Sequence, residues 1–200
     1  MLAMRQLRQA VLEAYSAAAQ RPRDKHAFPL GRLFAESIGY GPDVLDTMPP
    51  VAYEAFTGVS CVAVFADLPA RATVLDLGCG AGLDTLIAAR RVGDAGRVIG
   101  VDFSEAMLVR ARDAVSEAGA TNVEIRQAAA ESLPFEDAMF DVALVNGLFN
   151  LNPAREAIFS ELARVVRPGG SVWAAELVLT DGAEAKPKQE PCLNVKDWFA

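Results

Sequence analysis

The chain is poor in the residues that build metal and redox centres. Among 200 residues it has one histidine and three cysteines. Cys61, Cys79 and Cys192 stand far apart, with no C-x-x-C and no paired Cys/His spacing, which excludes a zinc site and a disulfide framework. With no such framework to oxidise, the reducing cytoplasm is the expected compartment. Long apolar runs are missing too: none approaches the roughly 20 residues of a membrane span, so no membrane partner is expected. The N-terminal stretch MLAMRQLRQAVLEAYSAAAQ lacks the continuous apolar core of a secretory signal. Its interleaved arginines would suit a transit peptide, but Leu2, Leu7, Val11 and Leu12 also recur as the stripe of an ordinary helix, which is the reading taken. Basic charge is scarce: the net charge of -7 excludes a nucleic-acid backbone as the main partner, because phosphate contacts need a basic face. Internal repeats and low-complexity tracts are absent.

The apolar fraction of 52% is ample for a core. Two segments differ in pattern. Residues 1–70 hold many turn breakers between short helical patterns, such as 31–38 and 50–57, and read as an N-terminal helical cap. Residues 71–200 alternate apolar runs with helices. Val74 to Leu77, Arg97 to Asp102, Asn122 to Arg126, Phe140 to Val145 and Ser171 to Leu179 read as strands. Helices fill the gaps. Ser104 caps one and Gly119 ends it, and RPGG at 167–170 closes another that Asn152-Pro153 opens. Strands separated by helices imply an α/β fold, a Rossmann-like open parallel sheet with the first strand in the middle. In such a sheet a ligand sits beyond the carboxyl ends of the strands, where the order reverses.

The glycine loop that follows the first of these strands, VLDLGCGAGLD at 74–84, selects the ligand. A dinucleotide loop wants G-x-G-x-x-G, but the sixth place counted from Gly78 is Leu83, which disfavours an NAD-linked oxidoreductase. A phosphate loop wants a lysine followed by Ser or Thr, and Leu83-Asp84 follows instead. Asp76 and Asp84 would repel a phosphate and attract a cation. S-adenosylmethionine carries a sulfonium and an ammonium, and its carboxylate can use the helix start near Leu83. Asp102, at the end of the second strand, can accept both hydroxyls of a ribose. Phe103 and Met107 can cover an adenine or pack in the core.

The motifs VLDLGCGAGLD, GRVIGVDFSEAML, TNVEIRQAAAESLPF, DVALVNGLFNLNP and ELARVVRPGGSVWAAELVL resemble class I S-adenosylmethionine-dependent methyltransferases. With the lead-in GYGPDVLDTMPPVAYEAFTGV they look like the bacterial arsenite methyltransferase group, over most of residues 38–180. The resemblance implies that Asp76, Gly78, Cys79, Gly80 and Gly82 meet the methionine part of the cofactor. It implies Asp102 at the ribose, Phe103 and Met107 beside the adenine, Ala130 and Glu131 at the adenine edge, and Asn146 beside the sulfonium. Ala129 departs from the acidic residue many relatives carry there. Trivalent arsenic wants convergent thiols, by the softness that governs soft metals. Where that group has a cysteine after the asparagine, this chain has Gly147; RPRDKHAFPL has none, and Ser60-Cys61-Val62 replaces G-N-P. Cys61 and Cys192 remain as substrate thiols.

Three readings follow. The first is a methyltransferase acting on arsenite or another soft acceptor. The second is a methyltransferase for a small organic metabolite, of quinone or natural-product type. The third is a cofactor-binding module without its own substrate site. A small-molecule substrate is expected, and the chain is expected as a monomer or weakly self-associating. Only some twenty residues follow Leu179, too few for the further helix and strand pair of a methyltransferase sheet, so an incomplete far edge is expected, in a chain either cut or shortened there. His26 reads as a solvated loop residue, Trp173 and Trp198 as packing, and the acid-rich pieces 131–137 and 181–190 as solvated surface.

Overall fold

The computed structural model describes residues 2–178. Cys192, Trp198, the acid-rich piece 181–190 and the expected strand end at Leu179 lie outside them. Five helices come first: α1 (Leu2–Gln20), α2 (Arg32–Ser37), α3 (Pro42–Leu45), α4 (Pro50–Glu54) and α5 (Val62–Phe65). The alternating part follows as β1 (Thr73–Leu77), α6 (Leu83–Val92), β2 (Arg97–Asp102), α7 (Glu105–Ala118), β3 (Val123–Gln127), β4 (Phe140–Asn146), a 3-10 turn at Phe149–Leu151, α8 (Arg155–Val165) and β5 (Val166–Ala175). The strands form one parallel sheet in the order β3-β2-β1-β4-β5, with β1 in the middle as its glycine loop requires. Among these residues no helix is long and apolar enough to cross a membrane.

The expected caps are there. Ser104 Oγ accepts from the Met107 amide, and Gly119 ends α7 in the left-handed conformation. The helix α6 lacks a polar face: Leu83 through Ala89 and Val92 are all buried. The sheet covers one side of it and the N-terminal helices cover the other, so Leu45, Ala52 and Val62 share a core with Val74, Leu86 and Val98. Arg91 ties that cover down, donating to the carbonyls of Ala63, Val64 and Ala66 at 2.8, 2.9 and 2.7 Å.

The helix α8 stops at Val165, just before RPGG as expected, but the strand begins earlier than the expected Ser171. α8 runs straight into β5, and RPGG forms a bulge within the strand. Val166 stands opposite Phe140 and Ser171 opposite Val142, so the extra residues arch outward. Pro168 has no amide to give a ladder, and Gly169 takes φ +81, so both fit the bulge better than a regular strand. Trp173 packs edge-on against Phe65 at 6.0 Å. Among the described residues β5 pairs only with β4.

Gly100, in the middle of β2, allows a close contact between the sheet, α6 and the glycine loop. A Cβ there would lie 2.9 Å from Ile125 Cδ1, 3.1 Å from Thr85 Oγ1 and 3.2 Å from Cys79 Cβ. Gly100→Ala is therefore expected to destabilise by overpacking, about 1–3 kcal/mol. A urea denaturation midpoint equal to wild type would show that the neighbours yield freely.

Candidate functional site

The loop after β1 is bent by hydrogen bonds to its own scaffold. The amides of Gly78 and Cys79 both donate to the Val101 carbonyl, at 2.8 and 3.0 Å, and Gly82 donates back to Cys79 at 2.9 Å. Gly78 and Gly80 take φ +81 and +52, a region that side chains disfavour. The Gly80 amide then donates to Asp102 Oδ2 at 3.0 Å, while the Ser104 amide donates to Oδ1 at 2.8 Å. Two N–H groups thus aim the Asp102 carboxylate at the strand ends. Burial pushes its pKa up, and the N–H groups of Ser104, Gly80 and Phe103 pull against that shift.

A cleft opens over these atoms. Asp76, Gly78, Cys79 and Gly80 line its floor, Asp102, Phe103 and Met107 one side, and Ala130, Glu131 and Asn146 the rim. Two expected residues are elsewhere. Gly82 is absent from the lining; its backbone abuts α7, where a Cβ would lie 3.3 Å from Ala111 Cβ, so it serves packing. Cys61 is also absent from the lining, and its Sγ faces Gly39, 2.8 Å from where a Cβ there would be. The place after Asn146, Gly147, is occupied from the far side by Val59, whose Cγ1 would sit 3.2 Å from a Cβ. Cys79 is the one described thiol in the cleft wall, and burial, then Asp76 and Asp102, push its pKa well up, so it holds its proton. His26 is occupied by the Arg21 carbonyl at 2.8 Å.

Two of the lining residues are buried carboxylates, Asp76 at 2% exposure and Asp84 at 5%. Asp76 takes the Thr85 hydroxyl at 2.5 Å. Asp84 has three donors: the Tyr40 hydroxyl at 2.6 Å, the Ala63 amide at 3.2 Å and Asn146 Nδ2 at 2.8 Å. Asn146 is fully used, since its Oδ1 accepts from the amides of Val59 and Ser60 at 2.8 and 3.2 Å and its Nδ2 also donates to the Ser60 carbonyl at 2.7 Å. It fixes the lead-in loop to β4 as well as lining the cleft. Burial raises both carboxylates, and Asp84 has more donors to hold a charge, so Asp76 is the protonated member, pushed up to about 8 by burial and by Asp84.

Sequence reasoning missed the roof. Arg8, Val11 and Tyr15 of α1 line the cleft, with Phe56 to Gly58, Leu148, and Leu151 to Ala154. Arg8 pairs with Glu131 at 2.8 Å, and Asn152 donates to the other Glu131 oxygen at 3.2 Å, so this carboxylate clamps two roof segments together. The available signal was the spacing of Arg8, Val11 and Tyr15 on one helical face. Tyr40 carried no local signal; only folding brings it to Asp84.

Residues 74–170 match the family described as a methyltransferase domain. The chain is 39% identical over 148 residues to an arsenite methyltransferase of Halobacterium salinarum, covering 73% of this chain and 37% of that protein. It is 39% identical to a demethylmenaquinone methyltransferase of Shouchella clausii, covering 55% of this chain and 47% of that one. Among solved structures, an arsenic(III) S-adenosylmethionine methyltransferase from Chlamydomonas reinhardtii superposes with a TM-score of 0.57 at 28% identity, over 71% of this chain and 48% of that one. The chain thus spans less than half the length of each of these relatives.

The Asp76 proton sets a pH dependence. Its folded pKa lies above the ordinary carboxylate value near ~4. Its contribution to stability is therefore full below that value and is lost once pH has risen through about 8. Thermal midpoints of the ligand-free protein should fall across that window, and Asp76→Asn, which cannot ionise, should flatten the fall. An identical slope in wild type and variant would assign the titration to another group.

Proposed function

We propose that this chain, whose residues 74–170 are a class I S-adenosylmethionine-dependent methyltransferase domain, binds that cofactor in the cleft and transfers its methyl group to a small acceptor. The observation that carries this reading is the charge of the site. Glu131 is offset by Arg8, the one cation among the described lining residues, and Asp76 keeps its proton, which leaves Asp84 and Asp102 as the carboxylates that give the site its charge. A phosphate-bearing dinucleotide is repelled there, whereas a sulfonium and an ammonium are attracted. The anchored Asp102 has lone pairs left for ribose hydroxyls, and Phe103 and Met107 flank an adenine.

The bound cofactor supplies a methyl group already activated by positive sulfur. The chain supplies alignment. The bare loop 78–80 lets the ligand approach the backbone, and the carboxylates favour the cation. The roof, made of α1 and residues 148–154, keeps water out, so the acceptor meets the methyl in line. A soft nucleophile needs no base for this displacement.

Two acceptor classes have support. The halobacterial and algal relatives favour arsenite. The thiol arrangement favours an organic acceptor of the quinone kind, because Cys61 faces Gly39, Val59 fills the space beside Gly147, and Val11, Phe56, Leu148 and Leu151 give the cleft an apolar wall. Arsenite would then arrive as its adduct with a small thiol such as glutathione.

Calorimetry with S-adenosylmethionine is the first test. Binding should weaken by about tenfold to a hundredfold in Asp102→Ala, the worth of hydrogen bonds to a charged group. It should vanish in Gly80→Val, whose side chain would enter the ligand's space. Unchanged affinity in both variants would place the cofactor elsewhere.

The acceptor is assayed with labelled cofactor against arsenite plus glutathione and against a demethylated quinone. Cys61→Ser is expected to leave either activity intact. Binding without transfer to either acceptor would leave a cofactor-binding module as the better reading.

A further inference from the structure

Two buried polar side-chain atoms among the described residues lack a hydrogen-bond partner, Thr57 Oγ1 and Trp173 Nε1. The indole lies on β5 against Phe65 and takes no part in the cleft. Thr57 belongs to the cleft wall, between Phe56 and Gly58. A buried hydroxyl without a partner costs free energy that a side chain of the same shape without the oxygen does not.

The polar groups beside it are spent on one another. Asn146 Oδ1 accepts from the Val59 and Ser60 amides, and its Nδ2 donates to the Ser60 carbonyl and to Asp84. The Tyr40 hydroxyl donates to Asp84 as well. Thr57 as a whole is only half-buried. One staggered step about its Cα–Cβ bond brings the hydroxyl to the cleft, and no hydrogen bond has to break for that turn.

The position of Thr57 says which ligand it meets. Asp102, Phe103, Met107 and Ala130 follow β2 and β3, on one side of β1. The loop 57–59 lies on the other side, against the end of β4. A Cβ on Gly58 would lie 2.6 Å from Asn146 Nδ2, and Val59 packs beside Gly147. With ribose and adenine over β2 and β3, the molecule that meets the methyl group comes from the β4 side. Phe56 and Leu148 make the wall there apolar, and Cys79 is the one described thiol in the cleft.

We propose that Thr57 is a specificity-determining residue for the methyl acceptor, its hydroxyl bonding an oxygen carried by an organic molecule with an apolar body. This rests on the methyltransferase reading above and selects the organic acceptor over arsenite. A hydroxyl both donates and accepts, so a ring hydroxyl or a ring carbonyl satisfies it. An analogue without that oxygen leaves the hydroxyl unpaired and is discriminated against.

The test uses Thr57→Val, which keeps the shape and removes the oxygen, and Thr57→Ser, which keeps the oxygen. The probes are 1-naphthol and naphthalene, which differ by one hydroxyl, titrated into protein saturated with S-adenosylhomocysteine. Wild type and Thr57→Ser should prefer 1-naphthol, and the preference should shrink by about threefold to tenfold in Thr57→Val. The ligand-free Thr57→Val protein should melt about 2–4 °C higher, because a methyl replaces an unpaired hydroxyl. A lower midpoint would show that the hydroxyl already has a partner and would overturn the assignment. An equal preference in wild type and Thr57→Val, or no binding of 1-naphthol to wild type, overturns it too. Affinity for S-adenosylhomocysteine should be the same in all three proteins, and a loss confined to Thr57→Val would move the residue to the cofactor and end its acceptor role. A wild type that does not bind S-adenosylhomocysteine overturns the methyltransferase reading itself.

Discussion

One buried carboxylate holds the cleft wall in place. Asp84, on the first turn of α6, receives hydrogens from Tyr40 between α2 and α3, from the Ala63 amide in α5 and from Asn146 at the end of β4. A carboxylate taken out of water costs several kcal/mol unless donors replace the lost solvent. The donors come from three separate stretches, so satisfying Asp84 forces those stretches into one arrangement. The start of α6 contributes its own partial positive charge. The N-terminal helices are therefore bound to the sheet by a polar requirement as well as by apolar burial. Asn146, which also holds Val59 and Ser60, transmits the same constraint to the rim of the cleft.

The alternating half of the chain was legible because local signals agree there. Apolar runs such as FDVALV have to be strands buried on both sides, and a serine cap and a left-handed glycine bracket α7. The glycine loop and Asp102 were legible for a related reason: the chemistry of a strand end is written in a few adjacent residues. Where side chains meet across long distances, the sequence was silent. Nothing near Asn146 says that both faces of its amide are spent on the lead-in loop. Nothing near Cys61 says that its sulfur faces Gly39. The third glycine, Gly82, shares the pattern of its neighbours but serves the packing of the loop on α7, a distinction that only three-dimensional proximity makes.

The first helix illustrates how a correct local reading can miss a function. Its apolar stripe does bury Leu7 and Val11, as any amphipathic helix would. The same face also carries Arg8 and Tyr15, and the position of α1 over Ala81 and Met107 turns that face into the roof of a site. Glu131 shows the converse. Its place after β3 marks it for the cleft, but its two oxygens are held by Arg8 and Asn152, so it joins roof segments together.

The Arg8–Glu131 clamp joins residues 123 positions apart, and Asn146 reaches Asp84 across 62. Contacts of such separation close large loops and gain little until most of the intervening chain is ordered. The cleft is therefore a late product of folding. A polypeptide emerging from the ribosome exposes Asp84 well before Asn146 exists to satisfy it, so the floor and roof have no partial, working form. Ligand capture by this chain is then an all-or-none readout of completed folding, and the ligand acts as a brake on unfolding of the whole molecule rather than of one loop.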